Sequence, residues 1–172
     1  RTLTNLNVSS DQFSSELADF LQASSVVNFG LLSGTDDQFR MAFRAKQLKS
    51  LYFAGAAVAR HATWARLPEQ LPGLIELGLT SSNVSDADLH AIAHLSELET
   101  LSLHNTQVTD IGLVALSRST RLKSVTVSQT KVTPHGIADF LEAKPGCEVV
   151  WDGADHRAVA EWVWSVGGKV QV

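Results

Sequence analysis

Sulfur is scarce in this chain, and so is charge of one prevailing sign. Among 172 residues there is a single cysteine, Cys147, which closes no intramolecular disulfide and makes no Cys-rich zinc site, so packing and hydrogen bonds must hold the fold. Fourteen basic and 18 acidic residues leave a formal net charge of −4, neither the basic excess of a nucleic-acid binder nor an acidic solvating tail; no nucleic-acid partner is expected. No apolar run approaches the ~20 residues that cross a bilayer, so no membrane span is expected within this chain. The first residue is Arg1, with no signal-like stretch after it, which leaves open both a targeting segment trimmed ahead of it and the compartment. What is plentiful is apolar side chain, 44% of the total, enough for one core and one domain over residues 1–172.

That apolar content is distributed with a period. Leu74, Leu77, Leu79 and Val84 recur as Leu98, Leu101, Leu103 and Val108, and again as Leu122, Val125, Val127 and Val132. Looser copies lie upstream at Leu48, Leu51, Phe53 and Val58, at Val26, Phe29 and Leu31, and at Leu3, Leu6, Val8 and Phe13, with start-to-start spacings of 23, 22, 26, 24 and 24. Within one unit the rhythm changes: Leu101 and Leu103 alternate as in a half-buried strand, whereas Leu113 and Leu116 return at the i, i+3 spacing of a helix face.

Periods of this length carrying L-x-x-L-x-L resemble the leucine-rich-repeat family, and the "TQVTDIGL" segment of residues 106–113 resembles its cysteine-containing bacterial subtype, with Thr where that subtype usually has Asn or Cys. The resemblance spans residues 3–151 and is strongest over 74–146. It implies an α/β solenoid, a right-handed β-α superhelix of about six repeats over 3–146, with a parallel concave sheet and convex helices. No single unit buries its own apolar face; stacked units do.

Local chemistry points the same way. Ser82, Thr106 and Thr130 sit where each strand ends and offer hydroxyls to backbone groups left open there. Ser85, Thr109 and Thr133 occupy helix N-cap positions, followed at the first helical position by Asp86, Asp110 and Pro134. A carboxylate there meets the positive helix end, and proline there loses no hydrogen bond.

The third unit is stretched, and Pro68 and Pro72 fall where later repeats keep uninterrupted helix, so its convex side should be irregular, with Trp64, Leu67 and Leu71 packed into the gap. Near the start, Phe13, Leu17 and Phe20 suggest an amphipathic helix. Near the end, residues 147–172 read as a terminal cap or the start of further repeats. A strand runs around Val149 and Trp151, with a second register through Cys147 and Val150 open. A helix with Val159, Trp162, Val163 and Val166 on one face follows, then a Gly167-Gly168 stop and a strand with Val170 and Val172. An uncovered strand there would invite edge-to-edge self-association or a partner, and Trp164, off the apolar helix face, is a candidate contact unless it folds over its own helix.

The repeat register lists the concave columns: Asn5, Asn28, Ser50, Glu76, Thr100 and Ser124; Asn7, Gly30, Tyr52, Gly78, Ser102 and Thr126; and Ser9, Leu32, Ala54, Thr80, His104 and Ser128. The face is small and rich in hydroxyls. Binding candidates on it are Tyr52, Thr100, Ser102, His104 and Thr126, of which only Tyr52 and His104 have the size of an anchor; a merely solvated sheet is the alternative.

Catalytic chemistry finds little support. His90 and His94, four apart on one helix with Asp86 a turn earlier, lack the Glu of a H-E-x-x-H protease and read as an exposed helix face with incidental metal affinity. There is no G-x-S-x-G, and Cys147 falls in a core strand. "SVGGKV" at 165–170 lacks the leading glycine spacing and the hydroxyl of a phosphate loop. No catalytic residue, metal or cofactor is therefore expected. The resemblance implies a noncatalytic scaffold that binds another protein. Two other readings stay open: a regulatory or targeting fragment of a larger enzyme or multidomain protein, and a receptor for a small ligand or carbohydrate on the hydroxyl-rich face.

Overall fold

The computed structural model describes residues 3–55, 61–152 and 169–171. Eight parallel strands form one sheet in chain order: β1 (Asn5–Ser9), β2 (Asn28–Leu32), β3 (Ser50–Ala54), β4 (Glu76–Thr80), β5 (Thr100–Ser102), β6 (Ser124–Thr126), β7 (Glu148–Val150) and β8 (Lys169–Gln171). Between them, on the other side, run α1 (Ser15–Ala23), α2 (Asp36–Ala42), α3 (His61–Trp64), α4 (Leu67–Gln70), α5 (Asp86–Ile92), α6 (Asp110–Ala115) and α7 (Pro134–Ala143).

The strand register follows the sequence period. Leu6, Phe29, Leu51, Leu77, Leu101, Val125 and Val149 pair in one continuous row, and the six from Phe29 onward are buried. Each strand turns one set of alternate residues into the core and the other set outward. The helices close the core from behind with Leu89 and Ile92, Leu113 and Leu116, and Ile137 and Phe140. β7 takes the register through Val149 with Trp151 buried, and Cys147 is buried as well, just ahead of the strand.

The third unit is irregular as its spacing demands. Pro68 sits in the first turn of α4, where a missing N–H costs nothing, and Pro72 follows the last turn, so two single-turn helices replace one longer one. Trp64, Leu67 and Leu71 are fully buried beneath them. The Trp64 ring joins Phe39, Phe43 and Phe53 in an aromatic cluster, with Phe39 edge-on to Phe53 at 3.9 Å between centroids.

Two expectations need correction. Phe20 is 49% exposed; α1 starts after the Ser14 cap, so its inner face is Ala18 and Leu21, and Phe13 reaches the core from the preceding loop. Asp86 and Asp110 do more than face a helix dipole. The Asp86 carboxylate takes the Thr109 N–H at 2.8 Å and the Thr109 hydroxyl at 2.7 Å, and Asp110 repeats the pattern with Thr133. Each of these aspartates fastens the N-cap residue of the next repeat.

That link explains two glycines. A Cβ on Gly112 would strike the Asp86 carboxylate and lie 3.0 Å from its Cα, and one on Gly136 would come within 2.6 Å of the Asp110 Cβ. Where the preceding repeat provides no such aspartate, the same third helical position carries a longer polar side chain. Gln38 accepts the Thr35 N–H and donates to the carbonyls of Ser10 and Phe13; Asp88 accepts from the Ser85 N–H and hydroxyl and meets His61 Nδ1 at 2.7 Å.

The strand-end turns form a second series. Ser33, Gly55, Ser81, Asn105 and Gln129 all have φ between 53° and 95°. Each donates its N–H to the following repeat, to Ala54, Thr80, His104 and Ser128 carbonyls and to the Asp152 carboxylate, at 2.7 to 3.2 Å. Just beyond, Ser82, Thr106 and Thr130 donate their hydroxyls to the carbonyls of Leu79, Leu103 and Val127 at 2.6 to 2.8 Å.

Candidate functional site

The outward residues of β1 to β7 make the concave face, and its columns follow the strand pairing. Tyr52, Gly78, Ser102 and Thr126 lie side by side in one row, with Ser50, Glu76, Thr100 and Ser124 in the row before it. The sheet therefore brings Tyr52 on β3, Thr100 and Ser102 on β5 and Thr126 on β6 onto one face, with Gly78 of β4 between Tyr52 and Ser102. Thr100 is exposed, Ser102 and Thr126 are half-buried, and half-buried His104 follows β5, its carbonyl held by the Ser81 N–H at 2.8 Å. Trp164 lies outside the described residues.

Tyr52 is the largest side chain on this face, 45% exposed. Its ring lies over Gly78, where any Cβ would collide with it, so the missing side chain on β4 is what makes room for the ring. Its hydroxyl donates to Glu76 Oε2, which also accepts from the Ser50 hydroxyl at 2.9 Å. Partial burial, and then the hydrogen bond and negative charge of Glu76, push the phenol up to about 12. Tyr52 thus stays protonated and oriented, which spares part of the entropy of ordering it against a ligand.

The same geometry recurs toward β1. Asn7 lies over Gly30, and Asn28 donates to the Asn5 side chain. Between these amides and the Tyr52 ring an open groove of about 370 Å³ runs along the first four strands, lined by Asn5, Asn7, Asn28, Ser50, Tyr52 and Glu76. Sequence reasoning placed Glu76, Asn5 and Asn28 in the columns but not among the binding candidates. The signal for Glu76 was available: it is the one acidic residue in the columns of the first six strands.

The convex stripe does not come together. Asp86 spends both carboxylate oxygens on Thr109, and His94 Nδ1 meets the His90 carbonyl at 2.8 Å. Among the described residues no cluster of three or more His, Cys, Asp or Glu is arranged to hold a metal ion. Cys147 is a buried thiol that burial pushes up to about 11, short of the thiolate a nucleophile needs at neutral pH.

Solved structures share this architecture. An internalin from Listeria monocytogenes superposes with a TM-score of 0.59 over 90% of this chain and 48% of its own, at 20% identity. The Arabidopsis receptor kinase HAESA, solved in complex with the peptide hormone IDA and the co-receptor SERK1, superposes with a TM-score of 0.50 over 87% of this chain and 27% of its own, also at 20% identity. The chain thus spans less than half the length of either. Neither a family model nor a curated protein matches the sequence. At this identity the likeness is one of fold, and the fold is the leucine-rich-repeat α/β solenoid. Among the described residues no helix is long and apolar enough to cross a membrane.

Proposed function

We propose that this chain is a noncatalytic leucine-rich-repeat scaffold that recognises another protein through its concave sheet. One observation carries the reading: Tyr52, pinned by Gly78 and Glu76, stands at the head of a continuous row of exposed and half-exposed hydroxyls formed by Ser102 and Thr126, with Thr100 alongside. Tyrosine buries much area for few rotatable bonds and is enriched at interface hot spots, and small hydroxyl residues around it adapt to a partner's backbone. The internalin and receptor-kinase likeness supports the scaffold class, and the receptor kinase was solved with protein and peptide partners.

Photo-crosslinkers placed at Ser102 and Thr126, and at exposed Ile111 on the convex side, test the reading in extract of the source cells. The expected result is one discrete adduct from the two concave positions, lost when Thr100→Arg is added. Adducts from Ile111 alone would reject the concave face.

A second reading has its own support. The groove between Asn7 and Tyr52 offers amides, hydroxyls and one carboxylate beside an aromatic ring, a set suited to a saccharide. Glycan-array binding abolished by Glu76→Gln would favour it over a protein partner.

A further inference from the structure

The broken third unit leaves an opening on the convex side. Because α3 and α4 are single turns, α2 has a full helix, α1, on one side only, and a trough of about 420 Å³ lies on the other, between α2 and the third unit. Phe43 and Met41 form its apolar base, and Arg40, Arg44 and Arg66 line it. Only one carboxylate, Asp37, shares that lining, in a chain whose net charge is −4.

These guanidiniums are poorly neutralised. Arg40 stands 3.8 Å from Asp37 and Arg44 3.6 Å from Asp19, both exposed pairs beyond close hydrogen-bond distance, and Arg66 has no ion pair among the described residues. Lys46 adds another cation at the Gln70 end, where its ammonium donates to the Gln70 carbonyl and side-chain oxygens at 2.7 Å. Asp36 turns to the Thr63 hydroxyl at 2.6 Å. Like charges gathered over an apolar base favour an occupant that brings carboxylates and an aliphatic group together.

We infer that this convex trough docks an acidic peptide segment of a protein partner, with glutamate or aspartate side chains on Arg40, Arg44 and Arg66 and one aliphatic side chain over Phe43 and Met41. The inference rests on protein recognition as the chain's role but not on the concave face. The trough is open to solvent, not enclosed, which suits a peptide segment better than a small anion, and its volume lies within the ~300–1,000 Å³ of ordinary ligand sites.

Fluorescence anisotropy tests it with the whole chain and a labelled peptide of four glutamates around one leucine, alongside its glutamine counterpart. The glutamate peptide should bind at least about tenfold more tightly than the glutamine one, and Arg44→Ala with Arg66→Ala should cost about tenfold in Kd, while Tyr52→Ala leaves it unchanged. Equal binding of the two peptides, no binding, or an unchanged Kd in the arginine variant overturns the inference. So does displacement by inorganic phosphate at micromolar level, which would mark a small-anion site. Loss of binding in Tyr52→Ala would move the acidic segment to the concave sheet and overturn it too. The crosslinking result at Ser102 and Thr126 is unaffected by any of these outcomes, so the two readings fail separately.

Discussion

The carboxylate of Asp110 holds the Thr133 N–H and hydroxyl together, both at 2.7 Å, although the two residues belong to different repeats. Both bonds are charge-assisted, and the N–H is one of the donors a helix start leaves without an internal partner. Asp110→Ala should therefore destabilise the chain by about 2 kcal/mol, read as a lower urea midpoint at unchanged slope. An unchanged midpoint would show that the link adds nothing to the stacking of leucines.

Gly136 offers a sharper test because two rules disagree about it. Helix propensity says that Ala in place of a helical Gly stabilises, by at most about 1 kcal/mol at this first-turn position. Contact with Asp110 says that Gly136→Ala overpacks the junction and costs about 2 kcal/mol. We expect the second, with the loss largely absent when Asp110→Ala is made as well, a coupling that a double-mutant cycle in urea would read. Additive losses would sink the explanation.

The strand-end turns predict a gain. Gln129 holds φ near 55°, a conformation that costs a residue with a Cβ about 1–2 kcal/mol, whereas glycine adopts it freely. After subtraction of glycine's extra chain entropy, Gln129→Gly should raise stability by roughly 0.5–1 kcal/mol, visible as a higher Tm. A lower Tm would mean that the Gln129 side chain contributes contacts that outweigh the strain.

Tyr52 is the only tyrosine, so phenolate absorbance reports on it alone. Its midpoint should lie near 12, first because of burial and then because of Glu76, and Glu76→Gln should bring it part of the way back toward 10. The folded chain thus holds this proton more tightly than the unfolded one. Any stability the contact contributes is complete below about pH 10 and is lost as pH rises through about 12. A wild-type midpoint near 10 would mean the hydroxyl is not held as described.

Cys147 should resist thiol reagents at pH 8 in the native state and react fully once urea unfolds the chain, since burial both hides the sulfur and disfavours its thiolate. Native-state labelling at the rate of a free thiol would contradict its burial.

Much of the architecture was legible because aliphatic periodicity is a one-dimensional record of stacking: Leu77, Leu101 and Val125 sit 24 residues apart and end up as neighbours in one sheet. The caps at Ser85, Thr109 and Thr133 were legible for the same reason, since a cap is read within its own unit. The partner of Asp86 was not, because the donors it meets belong to Thr109 of the next repeat and nothing within its own unit points to them. The pairing between Asp86 and Gly112 became visible only as a clash. Glu76 was passed over for a related reason. Its value lies in orienting Tyr52 from the adjacent strand, and columns read one residue at a time do not show such pairs.

The aspartate-to-glycine junction also bears on how such an array can grow. Thr109, Asp110 and Gly112 place in one unit both the group that reaches forward and the space that receives the group from behind. A gene segment encoding that unit can be copied in tandem and each copy will fit its twin. The unit with Ser85, Asp86 and Asp88 gives without receiving, and the one with Thr133, Pro134 and Gly136 receives without giving, so copying either one would misalign its own seam.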